Sequence, residues 1–350
     1  MPRIPDSIAN QTASQKSAVT ENPRPQSELS LIRQIRQRAL SFSRGQVRLG
    51  IGDDCALLRP RRGEEFAITT DLSIAGRHFW LATHPPESIG HRAIARGLSD
   101  LAAMGARPVA AFVSLAVPRE LAGEWISRFY DGLLALAKAH ITTLAGGDLS
   151  EAPIPLTDIV LVGSVPAGKA LLRSGARPGH LLYVTGTLGR SAQGLVLLSE
   201  IAESETQAQK QWRGADRFTA LALHLYPQPR IAQGLWLRRR GLASAAIDLS
   251  DGLSIDLAHL CKESGVAAEI DAELLPIHPG ATLDQALHGG EDYELLFSAP
   301  ESTHVPKAIA GVPVTQIGRV LKRSGKRASV TLNTLQGARP LKPEGWQHFA

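Results

Sequence analysis

Two rhythms of apolar residues alternate along the chain. Recurrence every three to four positions predicts helices over 28–40, 86–108, 118–140, 189–203, 230–241 and 252–265. Ser27 or Ser30 can cap the first of these, Gly105 and Pro108 stop the second, and Pro118 sits in the opening turn of the third. Shorter apolar or alternating runs predict strands over 64–73, 109–117, 141–150, 156–165, 181–186, 244–249, 266–271, 292–298 and 314–319. Gly146 and Gly147 read as a turn at the end of the 141–150 strand, and 204–217 as a polar connection. This alternation is too irregular for a doubly wound parallel sheet. It predicts an α+β protein of mixed sheets with packed helices. Gly, Pro and basic residues cluster at 164–179, which divides the chain into domains at 28–166 and 167–350. Residues 1–27 are polar and Pro-containing, and read as a flexible extension.

Composition changes this picture little. Of the 350 residues, 43% are apolar and 20% charged, values ordinary for a water-soluble globular chain. No apolar run approaches the roughly 18 residues that span a bilayer, and residues 1–27 lack a signal-peptide core, so the expectation is a cytoplasmic protein without membrane contact. Cys55 and Cys261 lack metal-site spacing and read as free thiols. The net charge of +5 raises the question of nucleic acid, but the arginines are scattered, aromatics are only 5%, and no nucleic-acid-binding motif occurs.

Acidic residues carry the chemistry. Asp53 and Asp54 lie in "GIGDDCALL", Asp71 in "ITTDLS", Asp100 in "GLSDLAAMGA", Asp148 in "LAGGDLS", and Asp248 and Asp251 in "AIDLSDGL". Singly, each has a structural explanation: Asp251 as the cap of the 252–265 helix, Asp148 as an Asx turn. Asp256 reads as a surface acid of that helix. Asp100 is out of place, a poor helix former sharing a helical face with Ala93, Gly97 and Met104. If the acids converge, two carboxylates 4 Å apart repel by about 4 kcal/mol at an effective dielectric of 20, and cations are needed. No His or Cys accompanies them, so oxygen-preferring Mg²⁺ fits best, and Mg²⁺ on carboxylates points to a phosphate ligand. Arg173 and the backbone N–H groups at 146–147 and 289–290 could meet phosphate oxygens. "GSVPAGKA" (163–170) imitates a P-loop, but Ala170 replaces the hydroxyl that holds magnesium.

With these motifs in sequence order, joined by "TTDLSIAGRHF", "LLRSGARPG", "YVTGTLG" and "GGEDYELLF", the chain resembles the thiamine-monophosphate kinase family of the AIR-synthase-like, or PurM-like, superfamily over about residues 28–350. The resemblance implies a PurM-like two-domain fold, a homodimer, and ATP-dependent phosphorylation of thiamine monophosphate to thiamine diphosphate with several Mg²⁺ ions. It implies metal contacts at Asp54, Thr69, Thr70, Asp71, Asp100, Asp148, Asp248 and Asp251. ATP contacts fall at Gly147, Asp148, Arg173 and Ser250, and substrate contacts at His78, Glu291 and Trp346. The acceptor phosphate, with a second pKa near 6, is largely dianionic at pH 7 and needs no strong base. Direct in-line transfer without a covalent nucleophile is therefore expected. Gly97 departs from the family pattern, in which Asn is frequent, and places a neighbouring contact in doubt. Other superfamily enzymes, and a catalytically silent nucleotide-binding protein, are the competing readings; "AGRHF" with "GGEDYEL" favours the thiamine enzyme.

Overall fold

The computed structural model describes residues 26–40, 45–203, 215–325 and 329–345. The first 25 residues, most of the 204–217 stretch and Trp346 lie outside them. Helix α1 (Glu28–Leu40) is followed by the short strands β1 (Val47–Leu49) and β2 (Leu57–Leu58) and the long strand β3 (Glu64–Ile74). Then come α2 (Pro86–Ala103), β4 (Arg107–Val117), α3 (Glu124–Ala139), β5 (Thr143–Glu151) and β6 (Leu156–Pro166). Strands β3, β6, β4 and β5 form a four-stranded sheet in that order, antiparallel except for the parallel pair β4–β5.

The second half contributes β7 (Leu181–Thr185), α4 (Arg190–Glu203), α5 (Ala215–Leu225), α6 (Ile231–Arg240), β8 (Ala245–Asp248), α7 (Leu253–Ser264) and β9 (Ala267–Asp271). It ends with α8 (Leu283–His288), β10 (Leu295–Ala299), β11 (Ala308–Ile309), β12 (Val312–Leu321), β13 (Val330–Thr334) and β14 (Gly337–Pro340). Its eight-stranded sheet runs β14-β13-β9-β12-β7-β10-β8, with β11 on β12. Only β13–β9 is parallel in it, so both sheets are mixed.

Helix α2 occupies the centre. Fifteen of its eighteen residues are buried, because it packs on α3, on the four-stranded sheet, on α6 and on β8. Apolar side chains of both halves meet around it in one cluster, from Leu98 and Phe129 to Ala246 and Phe297. The α2–α3 crossing is set by glycines. A Cβ on Gly90 would stand 1.9 Å from the Phe129 carbonyl oxygen, and one on Gly132 would stand 1.8 Å from that of Glu87. Gly97 faces the sheet, where a Cβ would meet Leu161 at 3.0 Å. A larger residue there has to displace Leu161, which is the local reason for glycine.

Several expectations change. The helix placed at 118–140 starts at Glu124; Arg119–Leu121 forms a separate 3₁₀ turn, and the Gly123 backbone lies outside the helical region. The expected turn at Gly146–Gly147 is the interior of β5, which continues alongside β4 through both residues after a register shift at Ala145. Gly147 is needed for close approach: a Cβ would stand 2.0 Å from the Val113 carbonyl oxygen. Lys169 of the P-loop look-alike follows strand β6 in a turn, and no helix succeeds it. Helices α5 and α8 and the short strands β1, β2, β11, β13 and β14 were not foreseen. No described helix is long and apolar enough to cross a membrane.

Candidate active site

A cavity of about 180 Å³ opens where α2 passes between β3 and the turn that joins β8 to α7. It is lined by Asp71, Arg77, His78, Arg96, Asp100, Asp248, Ser250, Asp251, Gly290, Glu291 and Tyr293. Each wall has a local cause. On β3, side chains alternate, so Thr69, Asp71 and Ser73 face α2 while Ile68, Thr70 and Leu72 face away. On α2, Arg92, Arg96 and Asp100 follow one another at four-residue spacing and form one stripe. The end of β8 presents Asp248, and the turn after it Ser250 and Asp251.

The stripe is bonded at every step. Thr69 Oγ1 donates to Asp100 at 2.5 Å, Arg96 lies 3.6 Å from Asp71 and donates to Ser73 Oγ, and Arg92 pairs with Glu291 at 2.7 Å. Ser99, on the adjoining face, donates to Asp248 at 2.7 Å. Asp256 overturns its assignment as a surface acid. It is buried, and its carboxylate accepts from the backbone N–H groups of Asp251 and Gly252 at 3.1 Å. Reaching back over the first turn of α7, it satisfies two donors at the helix start and fixes the turn that carries Asp251. The capping role considered for Asp251 is absent, since Gly252 is the N-cap residue and no side chain caps the helix there.

The carboxylates are held under electrostatic pressure. Burial pushes Asp71 up to about 6 against the pull of Arg96, and Asp100, Asp158 and Asp251 add repulsion. Burial, then repulsion from Asp100, pushes Asp248 up to about 7 despite the Ser99 hydrogen bond and Arg173. Asp100 is raised by burial, against Thr69, Arg173 and Arg96. Asp71 Oδ2 is buried with no hydrogen-bond partner among the described residues. An orphaned carboxylate oxygen in an acidic cavity fits a hard cation. Among the described residues no three His, Cys, Asp or Glu side chains close into a metal cage. A Mg²⁺ ion, which keeps waters and phosphate oxygens in its shell, needs only one or two carboxylates.

Among these acids, Arg77, Arg96 and His78 supply donors to the cavity. The Ile74 N–H donates to His78 Nδ1 at 3.1 Å, so the proton of the neutral ring sits on Nε2. In the cavity wall, Glu291 and Tyr293 both have positive φ (65° and 50°), a strained conformation for non-glycine residues. The neighbouring side chains of Asp292 and Glu294 anchor it. Asp292 accepts from the Gly189 and Ser191 N–H groups at the start of α4, and Glu294 is clamped by Arg190, Arg230 and Thr185.

Eight of the residues singled out in the sequence thus meet at one cavity: Asp71, Asp100, Asp248, Asp251, Ser250, His78, Gly290 and Glu291. Thr69 joins them through Asp100, and Arg173, exposed nearby, acts electrostatically on Asp100 and Asp248. Others stand apart. Asp54 lies in an exposed loop, and Thr70 on the outer face of β3. Gly147 and Asp148 border a separate cavity of about 90 Å³ with Tyr130, Ile32 and Ile51. Three strand spacings, roughly 14 Å, separate β5 from β3. Arg92, Arg96, Tyr130 and Tyr293 were missed; the i, i+4, i+8 spacing of Arg92, Arg96 and Asp100 was the available signal.

Comparison with known proteins identifies the family. Residues 52–165 match the family model "AIR synthase related protein, N-terminal domain", and 177–331 match "AIR synthase related protein, C-terminal domain". The thiamine-monophosphate kinase of Salmonella typhimurium is 41% identical over 92% of this chain and 98% of its own length. The crystal structure of thiamine-monophosphate kinase from Stenotrophomonas maltophilia superposes with a TM-score of 0.75 at 37% identity, covering 89% of this chain and 98% of that one. AaThiL complexed with AMPPCP and TMP superposes with a TM-score of 0.72 at 32% identity, covering 96% of this chain and all (100%) of that one. With its PurM-like fold and both AIR-synthase-type domains, the chain belongs to the thiamine-monophosphate kinase family.

Proposed function

We propose that this thiamine-phosphate kinase transfers the γ-phosphoryl group of ATP to the phosphate of thiamine monophosphate in a single in-line step, at the cavity between β3, α2 and the β8–α7 turn. The carrying observation is the buried, unpartnered Asp71 Oδ2 in a partly buried group of carboxylates that also includes Asp100, Asp248 and Asp251. These four, with Thr69 beside them, would hold Mg²⁺; Asp54, Thr70 and Asp148 are further metal positions by family resemblance. Bound Mg²⁺ would screen the repulsion between the two anionic substrates and the charge developing at the transferred group.

The chain's own residues would then orient the reactants. Arg96, anchored by Asp71 and Ser73, presents a fixed guanidinium to the phosphates, and His78 Nε2–H and Arg77 add donors. By family resemblance, Ser250, Arg173, Gly147 and Asp148 would contact the nucleotide, and His78, Glu291 and Trp346 the thiamine monophosphate. An oxygen of the dianionic acceptor forms the new bond to the γ-phosphorus as the bond to the β-phosphate oxygen breaks and ADP leaves. No proton has to be removed, so no side chain serves as base or nucleophile. A homodimer is the accompanying reading. It is supported by the outer face of β3, where Ile68 (64% exposed) and Leu72 (47%) flank Thr70.

Metal and pH should act together on stability. A carboxyl raised in the folded state binds its proton more tightly there than in the unfolded chain. Folding therefore loses stability as pH rises from the unfolded value near 3.9, and the loss is complete above the folded values of about 6 for Asp71 and about 7 for Asp248. The buried neutral His84 and His224 work in the opposite sense, losing stability as pH falls below about 6.5. The cluster is therefore read by difference. Millimolar Mg²⁺ is expected to raise Tm clearly at pH 8 and much less at pH 5.5, where protons compete for the same oxygens. Equal shifts at the two pH values would remove these acids from the metal site.

A further inference from the structure

Glu291 does not stand alone at the cavity. Arg92 Nη2 donates to both of its carboxylate oxygens, at 2.8 and 2.7 Å, across 199 residues of sequence. Arg92 is itself immobilised: it is 6% exposed, and Nη1 donates to the His224 carbonyl oxygen. His84 packs edge-on against His224 on the same side, and Trp80 N–H donates to His84 Nδ1. Burial and the Arg92 charge push His84 down to about 2, so this wall adds no second cation. Burial alone would raise the Glu291 carboxyl, but Arg92, with Arg96 beyond it, holds it below its ordinary value. Glu291 is thus a carboxylate whose charge is already balanced and whose orientation is fixed.

Thiamine monophosphate offers a carboxylate two features: the cationic thiazolium ring and the neutral exocyclic amino group of the pyrimidine. A carboxylate held by one guanidinium and close to a second is a poor counter-ion for another cation, which would sit near like charge. Its free lone pairs remain good acceptors for a neutral N–H. Resting on the assignment of Glu291 to the substrate side, we propose that Arg92 is a positioning residue that fixes Glu291 as an oriented acceptor for the pyrimidine amino group, making this ion pair the determinant of pyrimidine specificity.

The test compares thiamine monophosphate with its analogue bearing an oxo group in place of the amino group, in wild type, Arg92→Lys and Glu291→Gln, by ADP release with melting curves alongside. Wild type should favour the amino substrate by about a hundredfold or more in kcat/KM, because the analogue turns an acceptor toward an acceptor. In Arg92→Lys the preference should shrink to within about tenfold, through a raised KM for thiamine monophosphate and with KM for ATP little changed. Glu291→Gln carries the test if Arg92→Lys melts early. Arg92 would take the amide oxygen, leaving the amide N–H₂ to favour the oxo analogue. A preference unchanged in every variant that folds would overturn the proposal while leaving the kinase reading intact. A wild type inactive on thiamine monophosphate would instead overturn that reading.

Discussion

Asp71→Asn is expected to lower kcat/KM for ADP release by about a thousandfold or more while leaving the fold intact. The substitution keeps the shape and removes the charge from the one buried carboxylate oxygen in the cluster that has no partner among the described residues. Losing one electrostatic element from a preorganised phosphoryl-transfer site costs roughly 3–4 kcal/mol of transition-state stabilisation, and losing a metal ligand adds to it. Stability should move the other way. Because the fold disfavours the ionised form of Asp71, metal-free Asp71→Asn at pH 8 should melt at or above the wild-type temperature. A variant with wild-type turnover would take Asp71 out of the metal site. A variant that melts well below wild type would make the loss structural instead of catalytic.

The largest expected loss of stability lies at Gly132. Its Cα faces the Glu87 carbonyl oxygen across the α2–α3 crossing, and a Cβ would stand 1.8 Å from that backbone atom. No side-chain rotation relieves such a clash, so Gly132→Val must drive the helices apart. A destabilisation of about 3 kcal/mol or more follows, a fall in Tm of roughly 6–12 °C at about 2–4 °C per kcal/mol. Since α2 carries Arg92, Arg96 and Asp100, activity should fall in whatever fraction remains folded. Gly325→Ala is the control. A Cβ there would find nothing within 4 Å, and the backbone is not in the left-handed region, so Tm should not change.

What the sequence disclosed followed from local physics. The apolar period of α2, the alternation in β3 and the strand-to-helix turn around Asp248 and Asp251 depend on residues close in the chain, and all were legible. So was the oddity of Asp100, an acid on an apolar helical face, whose partner Thr69 proves to be 31 residues away. What stayed hidden depended on distant contacts. Asp256 looked like a surface acid because helical spacing alone does not reveal that it folds back over its own N-terminus. Gly146–Gly147 looked like a turn because only the neighbouring Val113 carbonyl explains a glycine inside a strand. The spacing of Arg92 with Arg96 and Asp100 hinted at a polar stripe but not at its partner Glu291, and β13 and β14 are short strands at the margin of the sheet, fixed by pairing with β9 and with each other.

The acid cavity accounts for transfer to a phosphate, whereas transfer to a neutral hydroxyl would call for a general base, a role no side chain is given in the proposed reaction. The direct measurement is Mg²⁺-dependent ADP release by the purified protein, with thiamine monophosphate, thiamine and aminoimidazole precursors supplied in parallel. Release with thiamine monophosphate, matched by thiamine diphosphate formed in equal amount and abolished by chelating Mg²⁺, is the predicted result. Release with thiamine or an aminoimidazole precursor but not with thiamine monophosphate would contradict it.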